Sequence, residues 1–241
     1  MQVVLLRVGI DTGSGGIHGP LFKNGSFEYV PISDGFNGTG ISDQTYGNTK
    51  GRYGKKLLVH YFPERRQRRR RDTPIHDDPE FDTFTYGDPT SPKRGLRKLK
   101  KGDLLVFYAG LEGWGFRCAP ALYIIGYFEV VKAGLAAEFS KHELQSNFGR
   151  NFHVRHSAVF VNQRDRLVLV KGNKRSGLLK KAKRISVLGS DKNGCPIHVL
   201  SPQMQKIFGG FDGHISIQRS PPRWVDERFV TKASAFVTSL R

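Results

Sequence analysis

The densest concentration of chemically capable side chains is residues 76–88, HDDPEFDTFTYGD, which hold one histidine and five carboxylates and neither lysine nor arginine. In extended backbone, residues two apart point the same way, so His76, Asp78 and Glu80 are expected to share a face. Asp77 is then expected to turn away and serve as a loop or capping residue. A histidine beside two carboxylates suits proton transfer, and would equally supply two or three ligands to a metal. The same letters also read as an Asp-Pro turn with a solvated histidine, and the spacing by itself assigns no metal. His76 and Asp78 are the catalytic candidates, with Tyr86 nearby as a third group.

A second candidate is the glycine-dense stretch GIDTGSGGIHGP, residues 9–20, behind the apolar run VVLLRV. Asp11 stands at the end of an expected strand, a place suited to a catalytic carboxylate or to one that stabilises a turn. Ser14 suits a phosphate contact or a turn, since the order G-S-G-G is not a nucleophile elbow. An aspartic protease needs two aspartates sharing a proton, and the chain has one DTG. No GK[ST] follows the glycines, which excludes a P-loop, and nothing supplies the second loop and helical half of an actin-like ATP site. A glycine-rich nest that holds one backbone phosphate remains. His153 and His156, three apart in NFHVRHSAVF, could bind a metal if the segment were helical, but the β-rich context argues against a helix. One of them is expected to pack and the other to be exposed, with Arg155 free to reach a phosphate.

Charge sets the expected partner. Lys and Arg number 39 against 21 Asp and Glu, a net charge of +18, which favours a polyanion and above all nucleic acid. The basic residues cluster in three blocks: RRQRRRR at 65–71, KRGLRKLKK at 93–101 and KGNKRSGLLKKAKR at 171–184. Arg65, Arg66, Arg68, Arg69, Arg70 and Arg71, then Lys98, Lys100 and Lys101, then Lys174, Arg175, Lys180 and Lys181 are the expected phosphate contacts, with Ser14. DNA and RNA are equally open. An anionic membrane would match the sign, but the basic residues follow no amphipathic helical period. No apolar run approaches the roughly 18 residues of a membrane span, and residues 1–8 carry no cleavage pattern, so a cytoplasmic protein is expected. Cys118 and Cys195 lack CxxC spacing and read as buried free thiols. No signature names a nicotinamide, flavin or S-adenosylmethionine cofactor.

The elements that must position these groups read mostly as β. Runs rich in Val, Ile, Phe and Tyr predict strands at 3–8, 56–62, 103–109, 122–131, 157–161, 167–170 and 184–188. Helices are expected at 136–147, 203–208 and 231–240, and residues 33–55 read as a long loop into the arginine block. The fold class is therefore α+β: a β-rich, curved mixed sheet or partial barrel with few short helices, in a single domain over 1–241.

Residues 7–26, RVGIDTGSGGIHGPLFKNGS, resemble the opening of the nucleotide modification associated domain 3 family. His76 to Phe81 is similar to that family's His-x-Asp-Pro-acidic segment, 84–88 to its aromatic-glycine turn, and LKKGDLLVFYAG at 99–110 to one of its strands. GGFDGHISIQRSPPRW at 209–224 matches in a comparable place, whereas Ile17-His18-Gly19 and the arginine block depart from the family pattern. The resemblance implies an association with systems that alter nucleic-acid bases. KKGDLLVFYAG and PALYIIGYFEVVKA are also similar to PUA-like domains of the EVE and ASCH branches, which implies a small β core near 93–190 that binds RNA or DNA. There Tyr108 and Trp114 are candidate stacking platforms for a base, as are Tyr86 and Trp224 elsewhere, although Trp224 in PPRW reads better as a core or lid residue; an ordinary hairpin with Phe107 and Tyr108 alternating between core and surface reads equally well. Three functions are open: an enzyme acting on a base, a reader of modified or structured nucleic acid, and a basic packing protein. The enzyme leads, because five carboxylates within a basic surface weaken phosphate binding unless they have another task.

Overall fold

In the computed structural model, residues 1–33, 43–211, 214–218 and 221–241 are described. Strand β1 (Val3–Arg7) is the run VVLLR, whose four aliphatic side chains are completely buried. An unbroken apolar run is what a strand covered on both faces requires. Short strands β2 (Gly19–Leu21) and β3 (Ile32–Ser33) follow, then helix α1 (Glu64–Arg70). Strands β4 (Ile75–His76) and β5 (Thr85–Asp88) bracket the acidic segment. A long hairpin, β6 (Leu104–Gly113) and β7 (Ala121–Leu135), comes next, then helices α2 (Lys141–Phe148), α3 (Phe152–Arg155) and α4 (Ser157–Gln163). The chain closes with β8 (Val168–Gly172), β9 (Gly177–Arg184), β10 (Ser186–Ser190), β11 (Pro196–Leu200), α5 (Pro202–Phe208), β12 (Arg223–Trp224) and α6 (Glu227–Thr238).

Among the described residues, eight strands share one mixed sheet in the order β12-β1-β6-β7-β8-β5, with β2 also on β6 and β9 also on β7. β1 and β2 run parallel to β6, and the other pairings are antiparallel. β7 is the spine, because its length lets it pair β9 through its first half and β8 through its second. The sheet does not close into a barrel, and the architecture is α+β as the pattern of strands and short helices predicts. Phe81, Phe107 and Phe128 meet edge-on in the main core, with centroids 4.7 to 5.8 Å apart. Phe81 thereby anchors the acidic segment to the sheet.

Several expected elements differ, each for a local reason. Residues 56–62 are not a strand: Leu58–Tyr61 is a 3-10 turn whose backbone bonds are local, with His60 N–H donating to Leu57 and Phe62 N–H to Val59. Residues 157–161 lie in α4, where Val159 and Gln163 are buried four apart while Val161 is 76% exposed, a helical rather than an alternating pattern. The arginine block is helical and buries none of its residues, consistent with arginine's good helix propensity and Glu64 in the first turn. The helix expected at 136–147 is split by Ser140, which caps α2 by accepting from the Glu143 N–H. The strand expected at 184–188 is divided at buried Ile185 between β9 and the separate β10–β11 hairpin. Cys195 is exposed and Cys118 half-buried, so neither is the buried thiol expected. Of the long loop expected at 33–55, residues 34–42 lie outside the described residues, as do 212, 213, 219 and 220 of the C-terminal motif.

Candidate functional site

β4 pairs with β3 through Ile32 and His76, and Phe81 pins the chain further on, so the acidic segment is strung between two fixed points. His76 is 7% exposed and stacks on Phe152, with centroids 4.2 Å apart. Its ring also meets that of His153 edge-on at 4.6 Å. His153, 3% exposed, has its Nε2 3.9 Å from Asp78 Oδ2 and its Nδ1 2.7 Å from Gln163 Oε1. Asp78 in turn accepts from the Gly87 N–H at 3.0 Å through Oδ1. Gly87 is a glycine for want of room: a Cβ there would stand 2.7 Å from His153 Cδ2. Asn151 caps α3 by accepting from the His153 N–H and so sets the ring's position. His76, Asp78 and His153 form one cluster, with a ligand-type atom from each within 4.8 Å of the others.

Asp77 and Glu80 look elsewhere. With Pro79, Phe81, Asp82 and Thr83 they line a cavity of about 530 Å³, whose wall also carries Tyr29, Phe152 and the arginines Arg52, Arg150 and Arg155. The expected shared face of His76, Asp78 and Glu80 is therefore divided: the first two join His153, while Glu80 and the supposedly averted Asp77 meet at the cavity. The alternation of an isolated strand fails because β4 ends at His76, after which the chain is a turn-rich loop. Glu80 accepts from the Phe152 N–H and from Thr83 Oγ1, and Arg52 bonds Asp82 at 2.6 Å.

Burial dominates the ionisation of this region. It raises the Asp77 carboxyl to about 6, with neighbouring Glu80 adding to the shift. It raises Asp78 to about 7, against the opposing pull of His153, and it raises Glu80 against the Phe152 and Thr83 hydrogen bonds. His76 is held well below the ordinary histidine value by burial and by His153. For His153 burial opposes charge, but Asp78 and Gln163 outweigh it and raise the value.

The other expected residues lie in two places. Asp11 closes the glycine turn: its Oδ1 accepts from Ser14 N–H at 2.7 Å and its Oδ2 pairs with Arg7 at 3.2 Å. Burial is opposed there by Ser14 and Arg7, which hold the Asp11 carboxyl low. Asp11 is thus committed to the turn and separate from the His76 cluster. The same turn meets α1: Gly13, Ser14, Gly15 and Gly16 share an open basin of about 330 Å³ with Arg66, Arg69 and Arg70. Arg66 Nη1 donates to the Gly16 carbonyl, and Gly16 sits at φ +76°, a left-handed conformation that favours glycine. Arg65, Arg68, Arg69 and Arg71 are exposed, as are Lys98, Lys100, Lys101, Lys174, Arg175, Lys180 and Lys181.

Tyr86 is a core residue whose hydroxyl donates to Asp88 at 2.9 Å, and burial and Asp88 raise its pKa well above the ordinary value. Tyr108 is fully buried and donates to the Ile217 carbonyl at 3.0 Å, so it offers no ring face to a base. Trp114 is 37% exposed and sits edge-on to Tyr61, open on one side. His153 is the histidine of its pair that packs, and it does so on helix α3, which the β-rich reading argued against; its partner is His76, brought to it by the fold and not by spacing. The signal that could have found it is Asn151, a good cap immediately before Phe152 and His153. Arg150, beside that cap, likewise carried no signal of its own.

Fold and site together define an α+β protein with an open mixed sheet, a buried His–Asp–His cluster, a cavity walled by carboxylates and arginines, and a basic glycine turn. Residues 2–239 match the family described as nucleotide modification associated domain 3, and the chain belongs to that family. The family's description connects the chain with nucleotide modification. Comparisons with curated proteins and with solved structures found no match, and the PUA-like resemblance gains nothing from them.

Proposed function

We propose that this protein acts on a base of DNA or RNA, taking it out of the stack into the cavity beside residues 77–83. The observation that carries the reading is the cavity wall: Asp77 and Glu80 face the same space as Tyr29, Phe152, Arg52, Arg150 and Arg155. A cavity of about 530 Å³ is of ligand-binding size, and aromatic walls with a few carboxylates suit a base held by its face and its edge. The carboxylates would move protons on the base as general acid and base, and the guanidiniums would meet the flanking phosphates. The basin of Ser14, Gly15 and Gly16 with Arg66, Arg69 and Arg70 supports a second grip on the backbone. His76 and Asp78 act from behind the wall, through the ring of Phe152 and the backbone they share with Asp77.

The test pairs binding with chemistry. Duplex DNA, single-stranded DNA and structured RNA are incubated with the protein, and their nucleosides are then analysed by mass spectrometry. An altered or missing base on one polymer is expected. Asp77→Asn and Glu80→Gln should each lower that turnover by about 100-fold or more while affinity stays within about threefold. Discrimination between modified and plain bases without any change in them would make the protein a reader instead. Affinity falling in step with turnover would make the two carboxylates binding groups only.

A further inference from the structure

We infer that His76, Asp78 and His153 form a binding site for a divalent first-row transition cation. The inference needs no nucleobase in the neighbouring cavity and stands apart from it. Among the described residues, the Nε2 atoms of both His76 and His153 are buried with no hydrogen-bond partner. Two orphaned imidazole nitrogens in one cluster are a costly arrangement unless something occupies the space between them. Asp78 Oδ2 lies 3.9 Å from His153 Nε2, too far for a hydrogen bond, so the carboxylate does not satisfy that nitrogen directly.

The donor set fits a transition metal. Gln163 Oε1 accepts from His153 Nδ1 at 2.7 Å, which puts the ring's proton on Nδ1 and leaves a lone pair on Nε2, the nitrogen on the Asp78 side. Asp78 keeps Oδ2 for the cluster because Oδ1 is taken by the Gly87 N–H. The three ligand atoms lie within 4.8 Å of one another. Ligands at tetrahedral angles around a zinc-sized ion stand roughly 3.4 Å apart, so closing on an ion takes at most about 1.4 Å of contraction between any two of them. Two imidazoles and one carboxylate prefer zinc, iron(II) or cobalt to magnesium or calcium, which favour all-oxygen sets. Three protein ligands leave at least one coordination position to be filled by water.

The experiment uses the whole chain without nucleic acid. After chelation and removal of the chelator, Co²⁺ is titrated as a spectroscopic probe and then displaced with Zn²⁺; metal content as isolated, with an anaerobic arm for iron(II), identifies the native ion. One Co²⁺ per chain with visible absorption bands is expected. His153→Gln and Asp78→Asn should each weaken it by about 100-fold or more, and Gln163→Ala by roughly 10- to 100-fold. For variants that fold poorly, the unaltered protein gives its own readout: Zn²⁺ should raise its thermal midpoint and chelator should reverse the rise. Failure of Co²⁺, Zn²⁺ and iron(II) all to bind or stabilise the unaltered protein would overturn the inference. So would unchanged Co²⁺ affinity and spectrum in a folded His76→Gln/His153→Gln variant.

Discussion

Glu28 shows how one carboxylate can organise the approach to a site. It is 1% exposed, and its two oxygens accept from the backbone N–H groups of Arg52, Tyr53 and Gly54, which turns that loop toward the cavity and carries Arg52 with it. A carboxylate gathering three backbone donors leaves all of them orphaned when it is removed. Glu28→Ala is expected to cost about 2–4 kcal/mol in urea unfolding, and Glu28→Gln, which keeps one acceptor oxygen, distinctly less. A loss below about 0.5 kcal/mol for the alanine would mean that the loop holds its turn without Glu28.

At the scale of elements, α2 is a short helix fixed at its first turn. Ser140 caps it, Glu143 returns the bond to Ser140, and Lys132 of β7 reaches across to the Glu143 carboxylate. The Lys132 bond and then the Ser140 bonds hold the Glu143 carboxyl at about 2. A carboxyl whose value is lower folded than unfolded contributes stability that is complete above the ordinary glutamate value of roughly 4.3. That contribution is lost as pH falls from there toward 2. Glu143→Gln should therefore be less stable than the unaltered chain at neutral pH, with the difference closing below about pH 4 and gone near pH 2. Urea midpoints measured down this range check it. A gap that stays constant with pH would show that the carboxylate's charge plays no part.

The whole molecule is a basic body with an acidic inset. Its net charge is +18, and 19 of its 39 lysines and arginines lie in three blocks, while four carboxylates of residues 77–82 sit within one short segment. Phosphate contacts release counterions, so affinity for nucleic acid should fall linearly with salt on a log–log plot, by about 0.9 per phosphate neutralised on duplex DNA. Replacing Arg66, Arg69 and Arg70, which share the basin with the glycine turn, should lower that slope by about one for each arginine in contact. Fluorescence anisotropy across a salt series on duplex, single-stranded and structured polymers measures it. Weak binding to all three near physiological salt, or a slope untouched by the replacements, would separate the charge from any nucleic-acid role.

Periodicity and composition carried much of this molecule. The apolar run of β1, the long hairpin of β6 and β7, the helices near 203 and 231, the basic blocks and the acidic segment were all legible, because strand pairing and solvent exposure act on neighbouring residues. The candidate site was half legible. His76 and Asp78 stood out by type and spacing, but His153 was legible only beside His156 and not as their partner, since α3 and α4 form in a stretch whose Phe and Val residues favour a strand. Tertiary packing overrode that preference by burying Val159 and Gln163 on one helical face, which aims Gln163 at His153. Tyr108, open in sequence to either a stacking or an ordinary hairpin place, is decided by the same packing: β6 is covered on both faces, so alternation brings none of its aromatic rings to solvent. Local chemistry is written in order along the chain; which distant side chains meet, and which of them face a cavity, is decided only when the sheet closes its neighbours around them.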